Sequence, residues 1–247
     1  MEYLISIITP TYNCAQFIGE TIKSVINQTY TNWEMIIVDD ASNDNTEEVV
    51  KSIKDERIKY IRLKENSGAA TARNIAMENA SGKFMAFLDS DDIWIKDKLE
   101  KQVKFMIDNN YNFTCTAYEK MNEKGDSLNK VFKPKKKADY NRILLDCPVG
   151  NSTVMYNVSN LGKFQVPNIR KRNDDALWLQ ILKKEKFIYG MPDILMKYRI
   201  RNNSISSNKL SLVKYHWYLY RKIEHLSVIR SVFHICWWGI IKILHIK

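Results

Sequence analysis

The sequence has no close pairing of cysteines. Cys14, Cys115, Cys147 and Cys236 are widely scattered, and no two have the spacing of a zinc knuckle or a redox motif. Free thiols in a reducing compartment are the expectation. The sequence as it stands runs directly into the strand-like Tyr3-Leu-Ile-Ser-Ile-Ile-Thr9, with no basic region or cleavage site ahead of it, so no secretion signal is expected. No hydrophobic run is long enough to cross a bilayer. The most apolar stretch, Val232 to Ile246, is too short and contains Lys242. Ser/His/Asp and Cys/His patterns are absent, which argues against a covalent nucleophile. Neither an internal repeat nor a recognised nucleic-acid module is present.

What is present is a folded chain with an uneven charge. Its 247 residues can bury a full core, and 45% hydrophobic with 27% charged residues is a globular composition. Residues 1–119 carry 13 Lys+Arg against 19 Asp+Glu, whereas residues 120–247 carry 25 against 9, so the halves differ in sign at −6 and +16. The second half is therefore expected to meet something anionic: a diphosphate, an acidic lipid surface or nucleic acid. A basic face without a partner is the plain alternative.

Periodicity gives the fold class. Strand-like runs at 3–9, 33–39, 58–63 and 83–88, with a fifth at 112–118, alternate with helical patterns at 15–28, 44–54, 69–80 and 96–109. In the first helix Ile18, Ile22, Val25 and Ile26 fall on one face. Such alternation implies an α/β fold, a Rossmann-like, mostly parallel sheet with helices on both faces. Residues 120–137 are polar and basic and read as a loop or a mobile excursion. A helix is expected from near Asp174, strand at 187–200, and a helical tail over about 210–246.

In parallel sheets ligands bind beyond the carboxyl ends of the strands, and polar residues concentrate there. Pro10-Thr-Tyr-Asn13 follows the first strand, Asp39-Asp40-Ala-Ser-Asn-Asp44 the second, Asn66-Ser-Gly-Ala-Ala-Thr-Ala-Arg-Asn74 the third and Asp89-Ser-Asp-Asp92 the fourth. Singly each reads equally well as a helix cap. Gathered on one edge, the acids would repel unless a cation sat among them. Three carboxylates in four residues, Asp89, Asp91 and Asp92, suit a hard divalent ion with oxygen ligands, Mg²⁺ or Mn²⁺. A solvated acidic turn is the alternative.

Taken in order, these motifs resemble the family 2 inverting glycosyltransferases, which have the GT-A fold. The matching text is Ser6-Ile-Ile-Thr-Pro-Thr-Tyr-Asn13, Ser24-Val-Ile-Asn-Gln-Thr-Tyr30, Ile37-Val-Asp-Asp-Ala-Ser42, Asn66-Ser-Gly68, Ala72-Arg-Asn74 and Phe87-Leu-Asp-Ser-Asp-Asp92. The match is dense over residues 3–108 and looser to about 208. The resemblance implies that Thr11 and Tyr12, in the loop opened by Pro10, line a nucleoside pocket and that Asp40 meets the uracil edge, with Asp39 structural. Arg73 would lie near the nucleotide, Asp89 near the ribose or sugar, Asp91 on the metal, and Asp92 would support that loop or share the metal.

The family's catalytic carboxylate belongs to an acidic pair opening a later helix, matched here by Arg172-Asn-Asp-Asp-Ala-Leu-Trp-Leu179. Aligned on Leu177-Trp178, the usual glutamate is Asn173 and the usual aspartate Asp174, while Asp175 stands at a commonly aromatic position. Asp174 is the favoured base, Asp175 the alternative, and helix capping the plain reading of both. An acceptor hydroxyl needs such a carboxylate to remove its proton. One base opposite a departing diphosphate gives a single displacement and inversion, as in inverting glycosidases. In Tyr198-Arg-Ile-Arg-Asn-Asn-Ser-Ile-Ser206, Arg201 replaces the family's usual His, so Arg199 and Arg201 would sit on phosphate or form surface ion pairs.

The domain expectation is a glycosyltransferase domain over 1–208, with a nucleotide-sugar half (1–119) and an acceptor half (120–208), followed by a basic aromatic tail over 209–247. Residues 204–247 carry seven Lys+Arg against Glu224 alone, interleaved with Tyr215, Trp217, Tyr218, Tyr220, Phe233, Trp237 and Trp238. This suits an interfacial helix on an anionic membrane, or a helix packed on the core. The resemblance then implies a UDP-sugar donor and a lipid-linked or oligosaccharide acceptor in bacterial surface polysaccharide synthesis (O-antigen, capsule or outer core), at the inner face of the cytoplasmic membrane. A sugar-phosphate nucleotidyltransferase would need a glycine-rich basic loop after the first strand, where Pro10-Thr-Tyr-Asn-Cys-Ala15 stands instead. A nucleic-acid-binding protein fits the acidic first half poorly, so no nucleic-acid partner is expected.

Overall fold

The computed structural model describes residues 3–201 and 209–243. Its strands are β1 (Ile5–Thr11), β2 (Trp33–Asp39), β3 (Ile58–Arg62), β4 (Phe84–Phe87), β5 (Ile93–Trp94), β6 (Phe113–Met121), β7 (Ser127–Phe132), β8 (Lys137–Ala138), β9 (Met155–Asn157) and β10 (Ile188–Arg199). Its helices are α1 (Ala15–Ile26), α2 (Thr46–Ser52), α3 (Ala69–Glu78), α4 (Lys98–Asp108), α5 (Tyr140–Leu145), α6 (Val158–Leu161), α7 (Asn173–Leu182), α8 (Lys209–Tyr218) and α9 (Val228–Ile243). A 3₁₀ turn at Asn151–Thr153 and a π-helical turn at Leu219–Ile223 join them.

Alternate residues of the central strands face two separate cores, because side chains on a strand point to opposite faces. Ile5 and Ile7 of β1, Met35 and Ile37 of β2, and Phe84 and Ala86 of β4 pack with Ile18, Ile22 and Val25 of α1 and Leu99, Val103 and Met106 of α4. Ile8, Ile36, Val38, Met85 and Phe87 face the other way, onto Ala72, Ala76 and Met77 of α3 and Leu177, Trp178 and Ile181 of α7. Each fully buried aliphatic side chain contributes roughly 1.5–3 kcal/mol. A charge at Ile22, which is wholly buried, would strip α1 from the sheet.

The strand order is β3-β2-β1-β4-β9-β6-β10-β5, with β7 on β6 and β8 on β10. Pairing among β1 to β4 is parallel, as is β6 with β10. The expected mostly parallel sheet, helices on both faces and helical tail are all present. Among the strands not expected from the sequence is β9, antiparallel to both β4 and β6; it joins β1–β4 to β6 and β10 in one sheet. Residues 120–137 are a correction: β6 continues to Met121 and β7 pairs back on it antiparallel. The five residues Ser127–Val131 are exposed, so this edge strand carries no apolar alternation to mark it. Backbone pairing and the stacked rings of Tyr118 and Phe132, 5.1 Å apart, hold it instead.

Two buried contacts fix the first-half sheet edge opposite the acidic loops. Glu34 accepts hydrogen bonds from Ser6 Oγ at 2.7 Å, Ser81 N at 2.6 Å, Ser81 Oγ at 2.7 Å and Lys59 Nζ at 2.6 Å. Burial by itself would raise its pKa, but these bonds outweigh it and bring the carboxyl down to about 2. Gly82 passes so near β1 that a Cβ there would lie 2.6 Å from Ser6 N, which requires glycine.

Candidate active site

Register decides which loops meet. Thr11 pairs with Asp39 and Ile8 with Phe87, so β1, β2 and β4 end on the same edge. β10 runs parallel to β6, and β6 reaches β4 through two antiparallel steps. Its terminal Arg199 therefore arrives at that edge too.

The loops after β1 and β2 are laced together under local strain. Asn13 and Ala41 are left-handed, at φ 46° and 60°; for a non-glycine residue this costs roughly 1–2 kcal/mol. Holding them, Asn13 N donates to Ser42 Oγ at 2.8 Å and Asn43 N to Asn13 Oδ1 at 2.8 Å. Asp39 is wholly engaged: Ser42 N and Oγ donate to one oxygen at 2.9 and 2.6 Å, and Tyr60 OH to the other at 2.5 Å. Asp40, also buried, accepts Ser67 N at 2.7 Å and Gly68 N at 2.8 Å, one per oxygen. This clamps the loop that enters α3, where Gly68 takes φ 92°. Pro10 and Thr11 are buried at the end of β1, and Tyr12 is exposed. Thr11 Oγ1 is buried without a hydrogen-bond partner among the described residues. Buried hydroxyls are normally satisfied, so this one suits a polar ligand.

The acidic loop after β4 divides into three distinct carboxylates. Asp89 accepts Arg73 Nη2 at 2.7 Å and Asn151 Nδ2 at 2.8 Å. Asp91 pairs with Arg201 Nη1 at 3.2 Å. Burial, then the charge of Asp89, raises the Asp91 pKa above the ordinary carboxylate value. Asp92 is buried, and its two oxygens accept Ser152 Oγ at 2.6 Å and Arg199 N at 3.0 Å. Its pKa is pushed well up, first by burial and then by Asp91 and Asp89. Like charges crowded this closely disfavour ionisation, and a cation would relieve them.

Among the described residues no group of three or more His, Cys, Asp or Glu could hold a metal alone. The residues therefore do not fit an all-protein cage, and a divalent ion beside this loop would need further ligands such as diphosphate and water. Asp92, only 1% exposed and bonded to Ser152 and Arg199, braces the loop. Arg199 is equally committed: it donates to Asp91 O at 2.8 Å, Glu123 O at 2.6 Å and Glu20 Oε2 at 2.6 Å. Its geometry is that of a brace, which leaves Arg201 as the half-buried guanidinium at the acidic loop.

The acidic pair sits where α7 begins. Arg172 precedes the helix in a left-handed conformation, φ 66°, and forms an ion pair with the buried Asp175. Burial raises the Asp175 pKa to about 6 despite that pair, and the nearby Cys147 thiol donates to Val149 O at 3.9 Å. Asp174 is half-buried and carries no hydrogen bond from any described residue. Between these acids and the acidic loop stands Arg73, whose Nη1 donates to Asn173 Oδ1. Asn173 in turn donates to Ile169 O at 3.2 Å. Arg73 Nε is buried without a described partner.

The structure thus brings Thr11, Asp40, Arg73, Asp89, Asp91, Asp174 and Arg201 to one edge of the sheet. Motif reading overlooked the 3₁₀ turn at Asn151–Thr153. Ser152 Oγ also accepts Asp89 N at 3.0 Å, and Trp94 Nε1 donates to Ser152 O at 2.8 Å. This turn is the platform behind the acidic loop. Its partners lie about 60 residues away along the chain, so no local spacing announces it.

Comparison with known proteins is consistent along the chain. The model of glycosyl transferase family 2 matches residues 6–164. TuaG of Bacillus subtilis, a glycosyltransferase assigned to teichuronic acid biosynthesis, is 46% identical over 230 residues, covering 92% of this chain and 91% of its own. WfgD of Escherichia coli, a UDP-Glc:α-D-GlcNAc-diphosphoundecaprenol β-1,3-glucosyltransferase, is 43% identical over 217 residues, covering 87% of this chain and 85% of its own. The crystal structure of S. aureus TarS in complex with UDP-GlcNAc has a TM-score of 0.72 at 20% identity, covering 94% of this chain and 70% of that one. That likeness gives the GT-A fold.

Proposed function

The chain belongs to glycosyl transferase family 2 and is a glycosyltransferase, and on that premise we propose an inverting, metal-assisted transfer of a hexose or N-acetylhexosamine from a UDP-sugar. The acceptor is a lipid-linked or oligosaccharide hydroxyl in bacterial surface polysaccharide synthesis. One observation carries this most: Arg73 bridges Asp89 of the acidic loop and Asn173 beside Asp174. A donor-side acid and a candidate base, far apart in sequence, are thereby held at one site.

In the proposed reaction Asp174 takes the proton of the acceptor hydroxyl as its oxygen attacks the anomeric carbon. The bond to UDP breaks on the opposite face, so the anomeric centre inverts. Asp174 is preferred over Asp175 because Asp175 is buried in an ion pair with Arg172, whereas Asp174 has an open carboxylate. A divalent cation held by Asp91 would neutralise charge on the departing diphosphate, and Arg201 would assist there in place of the family's histidine. Pro10, Thr11 and Tyr12 would border the nucleoside. Asp40 retains a free lone pair on each oxygen for a uracil N–H.

Residues 1–208 would form the catalytic domain, with the tail beyond it on an anionic membrane at the inner face of the cytoplasmic membrane. No helix of the described residues is long and apolar enough to cross a membrane. Support for surface binding comes from α9, which buries Ser231, His234, Trp238 and Ile241 yet exposes Val228, Ile229, Val232, Phe233, Trp237 and Ile240. An apolar face left outside marks an interaction surface, and Lys222 and Arg230 are exposed near it. The deciding experiment is a screen of UDP-, GDP- and dTDP-sugars for transfer, with and without Mn²⁺, with the product anomer read by NMR. A UDP-sugar should be consumed with release of UDP and inversion. Release of pyrophosphate, or retention, would contradict the proposal.

A further inference from the structure

A cavity of about 350 Å³ lies away from the donor loops, between α5 and α9, lined by Asn141, Leu145, Ile229, Arg230, Phe233 and His234. Its size is within the range of about 300–1,000 Å³ common for small-molecule sites. Leu145, Ile229 and Phe233 make its walls apolar, and the last two also belong to the exposed face of α9, at 82% and 57% exposure. The cavity therefore opens onto that face. Its polar members are Asn141, Arg230 and His234. Arg230 is exposed, and His234 is only 6% exposed with Nδ1 buried and unpartnered among the described residues. An apolar slot with a guanidinium and an unsatisfied imidazole nitrogen is complementary to an aliphatic chain ending in phosphate.

Its place in the fold connects it to the chemistry. Leu145 ends α5, which packs against both α9 and α7, the helix bearing Asp174. Ile143 and Leu144 share a core with Leu177 and Trp178, so the cavity wall and that helix are near neighbours. Tyr220 OH, donating to Leu144 O at 2.9 Å, pins α5 from the tail side.

We propose that this cavity binds the first part of the aliphatic chain of a lipid-diphosphate acceptor, with Arg230 and His234 on its phosphates. The proposal rests on the acceptor being lipid-linked, as suggested above, and adds the site that would hold the lipid. It also assigns the tail a role in choosing the acceptor beyond attachment to a surface.

The test uses the full-length protein and farnesyl diphosphate as probe, with binding followed by calorimetry. Wild type should bind the probe saturably, and neither UDP nor inorganic pyrophosphate should displace it. Leu145→Trp, which fills the cavity, and Phe233→Ser, at a position exposed enough to spare the fold, should each weaken the probe at least tenfold. Both should bind UDP as wild type does. Arg230→Ala should weaken farnesyl diphosphate but not farnesol. Equal affinity in all variants, or displacement by UDP, would overturn the proposal. So would a dimer by light scattering that Phe233→Ser dissociates, since a second copy would then be the occupant. Loss of UDP binding in wild type would instead defeat the donor-site proposal, with the farnesyl result still deciding this one.

Discussion

Arg73 on α3 donates to Asn173 Oδ1 at the start of α7 and, through its second terminal nitrogen, to Asp89 Oδ1 at 2.7 Å. Two segments carrying opposite halves of the proposed chemistry are thus set by one planar guanidinium. Lysine offers a point charge on a flexible stem and cannot reproduce that fork. Arg73→Lys should lower kcat by about 10–100-fold, as expected of a misplacement on the order of 1 Å, with thermal stability changing little. Steady-state kinetics beside a melting curve will check this; unchanged kcat would reduce the link to a structural one.

Asp174→Asn should lower kcat by about 10²–10⁴-fold, the usual contribution of a positioned base, with UDP affinity unchanged. Asp175→Asn breaks a buried pair with Arg172 and should chiefly cost stability, on the order of 3–5 kcal/mol. Denaturant titration and single-turnover transfer separate the two. The reverse pattern would make Asp175 the base.

Glu34 should make the fold acid-sensitive. Its folded pKa of about 2 lies below the ordinary 4.5. Its contribution is thus present above about pH 4.5 and disappears as pH falls toward 2. Glu34→Gln should lower stability at neutral pH by roughly 1.5–3 kcal/mol, the range for hydrogen bonds to charged groups, and should flatten that acid limb. Urea midpoints between pH 2 and 7 would show both; an unchanged acid slope would contradict the assignment.

Much of the first half was legible because its elements obey simple periods. The helix read from Ile18, Ile22, Val25 and Ile26 is α1, and the apolar runs at 33–39 and 83–88 are β2 and β4 within a residue or two. Asp89 to Asp92 stood out because carboxylates rarely cluster directly after an apolar strand. Sorting them was beyond the sequence. That Asp92 is buried on Ser152 while Asp91 faces Arg201 depends on partners 60 and 110 residues distant. β7 escaped notice because an edge strand exposed over most of its length needs no alternation, and β9 because three residues hold no period. The substitution at Asn173 was visible, but its bond to Arg73 was not.

The tail should attach the chain to anionic membranes through α9. Trp237→Asp with Ile240→Asp, both outside the α5–α9 cavity, should abolish flotation with phosphatidylglycerol vesicles, and raised salt should weaken wild type. Flotation of the double variant equal to wild type would remove α9 from membrane binding.

When UDP is bound, the acidic loop should receive a divalent cation through Asp91. Calorimetric titration of Mn²⁺ into the protein with UDP, for wild type and Asp91→Asn, tests this most directly. Wild type should bind one Mn²⁺ only in the presence of UDP, and Asp91→Asn should bind at least tenfold more weakly, with transfer reduced in parallel. Equal Mn²⁺ affinity in the two proteins, or full transfer by wild type in excess chelator, would contradict it.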